Sequence, residues 1–178
     1  MRSEASTRTP LRRGSPFSGR RLAVLLGAVL VAGCPGANSA QPAAPSATTP
    51  KEVVTAAKAT IEQWRQAYEI RSVEALSQLY ARDLDLVVVQ EGTTYLGWSS
   101  VEAMLKDRIA RTGAIHIRLK DLQVLSLAPE VASAFATMTR ELTDGTTTVT
   151  ESGTLTLVLR KQGAGWVITS EHYSYKRP

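Results

Sequence analysis

From residue 50 onward the apolar positions change period once. Val54, Ala57, Ile61, Trp64 and Tyr68 follow at spacings of three and four, which puts them on one face of a helix of about five turns. Thr49-Pro50-Lys51-Glu52 marks its start, with a hydroxyl cap, proline at the first helical position and glutamate at the third. Ser72 caps a second helix carrying Val73, Leu76, Leu79 and Tyr80. A third is predicted after Ser99-Ser100-Val101-Glu102, another capping-box pattern, with Val101, Met104, Leu105 and Ile109 inward and Gly113 ending it.

The other segments read as strands. Leu84 to Gln90 is a β-branched apolar run that turns at Glu91-Gly92 and returns through Tyr95 to Trp98, a hairpin pattern. After Gly113 four long strands are predicted: Ala114 to Leu127, Val131 to Leu142, Thr146 to Arg160 and Trp166 to Tyr175. Their turns fall at Ala128-Pro129-Glu130, Asp144-Gly145 and Gln162-Gly163-Ala164-Gly165. Helices first and a long antiparallel meander after them define an α+β domain, with the helices packed on one face of a curved sheet.

Composition adds a boundary. The chain of 178 residues carries a formal charge of +5, but six arginines and a single acid, Glu4, lie within residues 1–33. Setting these aside leaves 15 basic and 15 acidic residues, so the rest is formally neutral and gives nucleic-acid binding no electrostatic support. The front reads as an export signal: a basic stretch to Arg20-Arg21, then an apolar run from Leu22 to Gly33. That run is too short for a finished membrane helix, which takes about 20 residues. Val31-Ala32-Gly33-Cys34 resembles the bacterial lipobox, which implies a diacylglycerol on the Cys34 thiol and cleavage in front of it.

Cys34 is the single cysteine, so intramolecular disulfides and cysteine-based metal sites are excluded. Lipidation would remove a thiol that an oxidising envelope makes a liability. Pro35 to Pro50 lacks any large apolar residue and is predicted to be a partly extended tether reaching up to roughly 50 Å. The expected organisation is a lipoprotein signal peptide over 1–33, the lipidated cysteine and tether over 34–50, and a domain over 51–178. The expected location is the cell envelope, lipid-anchored in the inner or outer membrane.

The order α-α-β-β-α followed by four long strands resembles the nuclear-transport-factor-2-like superfamily, and its SnoaL-like domains in particular. The carriers are Trp64 and Tyr68, Tyr80-Ala81-Arg82-Asp83, Gly97-Trp98, and the ending from Gly165-Trp166-Val167-Ile168 through His172-Tyr173-Ser174. The resemblance implies three helices packed in a cone against a strongly curved, mainly antiparallel sheet. It also implies a pocket at the open end and frequent dimerisation. Members bind small hydrophobic molecules or act as isomerases, cyclases or dehydratases, and fold does not select among these. Against the ketosteroid-isomerase pattern, Trp64 falls at the tyrosine, Val88 at the base and Leu157 at the second acid. None can fill those roles, and Asp85 points away from Val88 under strict alternation.

Candidate chemistry is therefore sparse. If Trp166 and Ile168 face the core, strand parity puts His172 and Ser174 on the pocket wall, where His172 acts as general base or as a ligand-orienting donor. Asp83 either bonds to turn amides or looks into the pocket. Trp64, Tyr68, Tyr80, Tyr95, Trp98 and Met104 wall an apolar cavity or fill the core. An ion pair between Arg140 and Glu151 across a hairpin would be structural. His116 and His172 are far apart, no nucleophile elbow or phosphate loop is present, and no metal or cofactor is implied.

Three functions follow. The first is an anchored module that binds a small hydrophobic ligand or a protein partner without catalysis. The second is a SnoaL-like enzyme with His172 as base, assisted by Asp83 or Tyr68. The third is a structural module that forms a homodimer or docks through its sheet face.

Overall fold

The computed structural model describes residues 48–176. The predicted signal peptide, Cys34 and most of the tether lie outside them. The first helix, α1 (Pro50–Glu69), starts where its capping box predicts: the Thr49 N–H donates to Glu52 Oε2 at 2.7 Å, and the Glu52 N–H donates back to Thr49 Oγ1 at 3.3 Å. Its buried stripe begins at Val53 rather than Val54 and continues through Ala57, Ile61, Trp64 and Tyr68. A left-handed residue, Arg71, ends the turn after it. The Ser72 hydroxyl accepts from the Ala75 N–H and starts α2 (Val73–Leu79), after which Tyr80 is already extended.

A tight hairpin follows, β1 (Val87–Gln90) and β2 (Thr93–Leu96), with Glu91 and Gly92 both at positive φ, the geometry a two-residue hairpin turn requires. Residues 84–86 precede the strand, and Leu84 is exposed. The third helix, α3 (Gly97–Arg111), runs directly out of β2 and begins before the predicted Ser99–Glu102 box, without a side-chain cap. Backbone carbonyls take that role: the Gly97 N–H donates to Leu86 O and the Trp98 N–H to Asp83 O. Thr112, not Gly113, is its C-cap. Gly113 instead allows close approach to β4, since its N–H reaches Thr143 O at 2.7 Å. At the same end, Arg71 donates to Ile109 O at 2.8 Å and Gly113 O at 2.9 Å, satisfying carbonyls the helix leaves free.

Four long strands complete the chain: β3 (Ala114–Ala128), β4 (Val131–Asp144), β5 (Thr147–Gln162) and β6 (Gly165–Lys176). All pair antiparallel in sequence order, and β1 joins β6 in parallel, giving one six-stranded sheet ordered β2-β1-β6-β5-β4-β3. The domain is α+β, with three helices and a mostly antiparallel sheet. Its core lies between the helices and one sheet face. The largest wholly buried side chains are Trp64, Tyr68, Tyr80 and Tyr173, surrounded by aliphatics such as Ile61, Leu105 and Leu157 that contribute about 1.5–3 kcal/mol each.

One irregularity decides which side chains enter that core. Between β5 and β6 the register steps from Val158 opposite Ser170 to Leu159 opposite Ile168, which leaves Thr169 as an extra residue. Such a bulge reverses the facing of every residue beyond it. Ile168 is therefore buried before the bulge, and Glu171 and Tyr173 are buried after it.

Candidate functional site

The bulge corrects the sequence-based assignment of the pocket wall. His172 and Ser174 are exposed on the outer face of the sheet, in line with Thr156 and Phe135, so neither reaches the interior. The residue turned inward is Glu171, 1 % exposed. Its Cα partners on the two flanking strands are Val88 and Leu157, the positions found apolar against the isomerase pattern. An acid does occupy the interior there, supplied by the strand between them. Sequence parity missed it because Val167, Ile168, Thr169 and Ser170 carry no polarity contrast that marks the extra residue.

Glu171 anchors a buried polar network. Tyr80 donates its hydroxyl hydrogen to Glu171 Oε2 in a short contact, Gln90 Nε2 donates to Glu171 Oε1 at 2.7 Å, and Trp64 Nε1 donates to the Tyr80 oxygen at 2.8 Å. Burial, reinforced by the Glu171 charge, raises the Tyr80 phenol well above its ordinary pKa. Both carboxylate oxygens are engaged, and Glu171 lines none of the four best-formed cavities among the described residues. The network joins α1, the residue after α2, β1 and β6 and holds them in register.

Tyr68 lies against Trp64 edge to face, with ring centroids 5.0 Å apart. Its hydroxyl is fully buried and makes no hydrogen bond of ordinary geometry. Burial and Glu171 raise its pKa, whereas Arg108, the adjacent Tyr80 hydroxyl and Arg140 oppose that rise. Arg140 and Glu151, paired across the β4–β5 hairpin as expected, prove to be buried rather than superficial, with side chains 3 % and 0 % exposed. Arg140 Nε and Nη2 donate to Glu151 Oε2 at 2.9 and 2.6 Å, and its guanidinium lies 5.0 Å from the Tyr173 ring centre and 5.5 Å from that of Tyr175. Burial alone would lower the Arg140 pKa, and Glu151 more than restores it.

Beside this pair a cavity of about 410 Å³ opens where the end of α3 meets the β4–β5 hairpin and the β1–β2 turn. Arg108, Arg111 and Arg140 supply its cations, Glu91 and Glu151 its acids, and Tyr95, Tyr175 and Leu142 its apolar surface. An adjoining hollow of about 470 Å³ shares Arg111, Thr112, Leu142 and Glu151. A larger groove of about 520 Å³ runs between α1 and β3; most of its charges are paired, Arg65 with Glu62 and Glu69, His116 with Glu69, and Arg118 with Glu141, and Lys58 and Lys120 also line it.

The remaining candidates scatter. Trp64, Tyr68, Tyr80 and Met104 are core, Trp98 is half-buried beneath the Arg82 guanidinium, and only Tyr95 of the predicted lining reaches the end cavity. Asp83 makes a partly exposed ion pair with Arg160 at 2.8 Å and lines none of the cavities described above. Arg108 was not singled out by the sequence: on a helix, a lone arginine near the C-terminus reads as favourable to the helix dipole.

The fold recurs among solved structures. A candidate dehydratase of the nuclear transport factor 2-like family from Streptomyces avermitilis is 22% identical, with a TM-score of 0.67 over 72% of this chain and 99% of that one. A candidate aromatic ring hydroxylase from Novosphingobium aromaticivorans is 18% identical, with a TM-score of 0.66 over 73% of this chain and 93% of that one. A nuclear transport factor 2-like protein of unknown function from Pseudomonas putida is 23% identical, with a TM-score of 0.59 over 70% and 87% of the two chains. At these identities the likeness establishes the fold. No curated protein matches the chain. Residues 57–178 match the SnoaL-like domain family, and the chain belongs to it.

Proposed function

We propose that the SnoaL-like domain is a binding module for a small organic molecule, held in the end cavity and not chemically altered there. One observation carries this reading. The buried acid that would serve catalysis, Glu171, has both oxygens bonded and lines none of the four cavities described above, whereas the cavity beside Arg140 is lined by aromatic and ionic groups. The lining favours an amphipathic ligand over the purely hydrophobic one expected from sequence. Neighbours of the same fold named as a candidate dehydratase and a candidate aromatic ring hydroxylase fit a scaffold that handles small organic molecules. In this reading Cys34 carries the lipid, the tether ends at Pro50, and the module works at the cell envelope.

The test is native mass spectrometry of the full chain purified in a mild detergent. A co-purifying organic molecule is expected, and Leu142→Trp, which fills the cavity, should expel it. Empty spectra from several preparations, together with no hit in a fragment screen, would overturn the reading. The exposed Leu125, Leu127 and Phe135 on the outer sheet face support a second use of the domain, homodimerisation through that face. Phe135→Glu should then convert a dimer to a monomer in light scattering, and a parent protein already monomeric would remove this second use.

A further inference from the structure

Among the cations at the end cavity, Arg108 stands alone. Arg140 is neutralised by Glu151, and Arg111 pairs with Asp107 one turn earlier on α3. Of the acids, Glu151 is taken by Arg140, and Glu91 bonds to the Tyr175 hydroxyl, whose pKa burial and that contact push up to about 12. Arg108 makes no ion pair or hydrogen bond among the described residues, and its Nη1 is shielded from solvent without a partner. Its charge reaches Tyr68, whose wholly buried hydroxyl also lacks a partner. A half-buried guanidinium without a carboxylate in direct contact is costly, because water no longer solvates it fully and no anion within ion-pair distance replaces that water.

Resting on the binding reading above, we propose that the ligand is a small organic carboxylate, its carboxylate paired with the accessible edge of the Arg108 guanidinium and its apolar body against Tyr95 and Leu142. A guanidinium presents parallel N–H donors that match a planar carboxylate, which a single-point cation would not select. The cavity of about 410 Å³ lies within the range of small-molecule sites, about 300–1,000 Å³. Tyr95, Leu142 and the ring of Tyr175 give the uncharged part of such a molecule an apolar wall.

Benzoate and benzamide are suitable probes, since they share shape and differ in charge. The full chain in mild detergent is titrated with each while arginine side-chain N–H resonances are followed by NMR. Benzoate should bind at least about tenfold more tightly than benzamide, equivalent to about 1.4 kcal/mol. Arg108→Gln should abolish that preference by weakening benzoate far more than benzamide, and Arg108→Lys should restore only part of it. Because Arg108 supports no contact within the protein, Arg108→Gln should melt no lower than the parent without ligand.

The outcomes separate the two readings. Equal affinities, or benzamide preferred, would overturn the carboxylate assignment and leave the binding module standing. A co-purified neutral molecule displaced by Leu142→Trp would do the same. A benzoate preference that survives Arg108→Gln would also overturn the assignment, since the anion would then be held elsewhere.

Discussion

Glu171 and His172 are neighbours in the chain but occupy opposite faces of the sheet: Glu171 is buried against Tyr80 and Gln90, and His172 is exposed beside Thr156. That opposition, set by the single extra residue at Thr169, moves the interior chemistry from a histidine to a carboxylate. It also explains why the carboxylate stabilises the fold. A buried acid with two well-placed donors contributes only while both donors remain.

Tyr80→Phe tests that network. The substitution preserves the ring but leaves Glu171 Oε2 and the Trp64 indole N–H without their partner. Each buried group left unpaired costs about 1–3 kcal/mol, so a total loss of about 2–6 kcal/mol is expected in urea denaturation. His172→Ala, on the outer face, should change stability by less than about 0.5 kcal/mol in the same measurement. Equal effects of the two variants would contradict the assignment of their faces.

The same tyrosines set an alkaline limit. In the folded chain Tyr68 and Tyr80 keep their protons above the ordinary value of 10.0, and Tyr173 and Tyr175 are pushed up to about 12. Unfolded, all four ionise near 10.0, so above that pH the unfolded chain binds fewer protons than the folded one. The stabilisation is complete below pH 10 and is lost as pH rises toward 12 and beyond. Urea midpoints should be flat from about pH 8 to the ordinary tyrosine pKa and fall steeply above it, and Tyr80→Phe should make that fall shallower.

Much of the fold follows from local signals. The Thr49–Glu52 box, the Ser72 cap and the Glu91-Gly92 turn act within a few residues, so the sequence that encodes them also positions them. The start of α3 escapes such a reading, because its first N–H groups are satisfied by carbonyls of Asp83 and Leu86, more than ten residues earlier in the chain. The Arg140–Glu151 pair was visible as a cross-strand match, but its burial depends on Tyr173 and Tyr175 arriving from β6 after the bulge. Of the candidate site, Tyr95 alone was recognised as pocket lining. Arg108 becomes significant only once the partners of every neighbouring charge are known.

The anchor makes a separate prediction. With Cys34 as the lipid acceptor, Cys34→Ser should abolish fatty-acid labelling in cells and leave the precursor uncut, seen as a slower band on gels. The domain itself should keep its melting temperature, since the described core is built from residues between Val53 and Tyr173. Labelling that persists in the serine variant would remove the lipid from the proposal.

Gly153 provides a test of the β5–β6 pairing. A Cβ placed there would lie 1.9 Å from Ser174 O and 2.6 Å from Tyr175 Cα, both backbone atoms that cannot swing aside. Gly153→Ala must therefore push the two strands apart next to the Arg140–Glu151 pair. A loss of about 1–3 kcal/mol in chemical denaturation is expected, as for other overpacked sites. A neutral substitution would mean that the strands separate more readily at this point than their pairing implies.

The ion pair itself admits the sharpest experiment. Removing one partner, as in Glu151→Gln, leaves the Arg140 guanidinium buried against two aromatic rings without its counter-charge, and a loss of about 3–5 kcal/mol is expected. Replacing both, as in Arg140→Met with Glu151→Leu, removes the charges together and should recover most of that loss, because neither charge then needs desolvation. The double variant also separates stability from recognition. If Arg108 alone holds the ligand's carboxylate, benzoate affinity should survive in the double variant within about threefold, whereas a loss as large as that of Arg108→Gln would assign part of the anion's binding to Arg140. Denaturation midpoints and benzoate titrations of the parent, Glu151→Gln, the double variant and Arg108→Gln would decide between the two arginines.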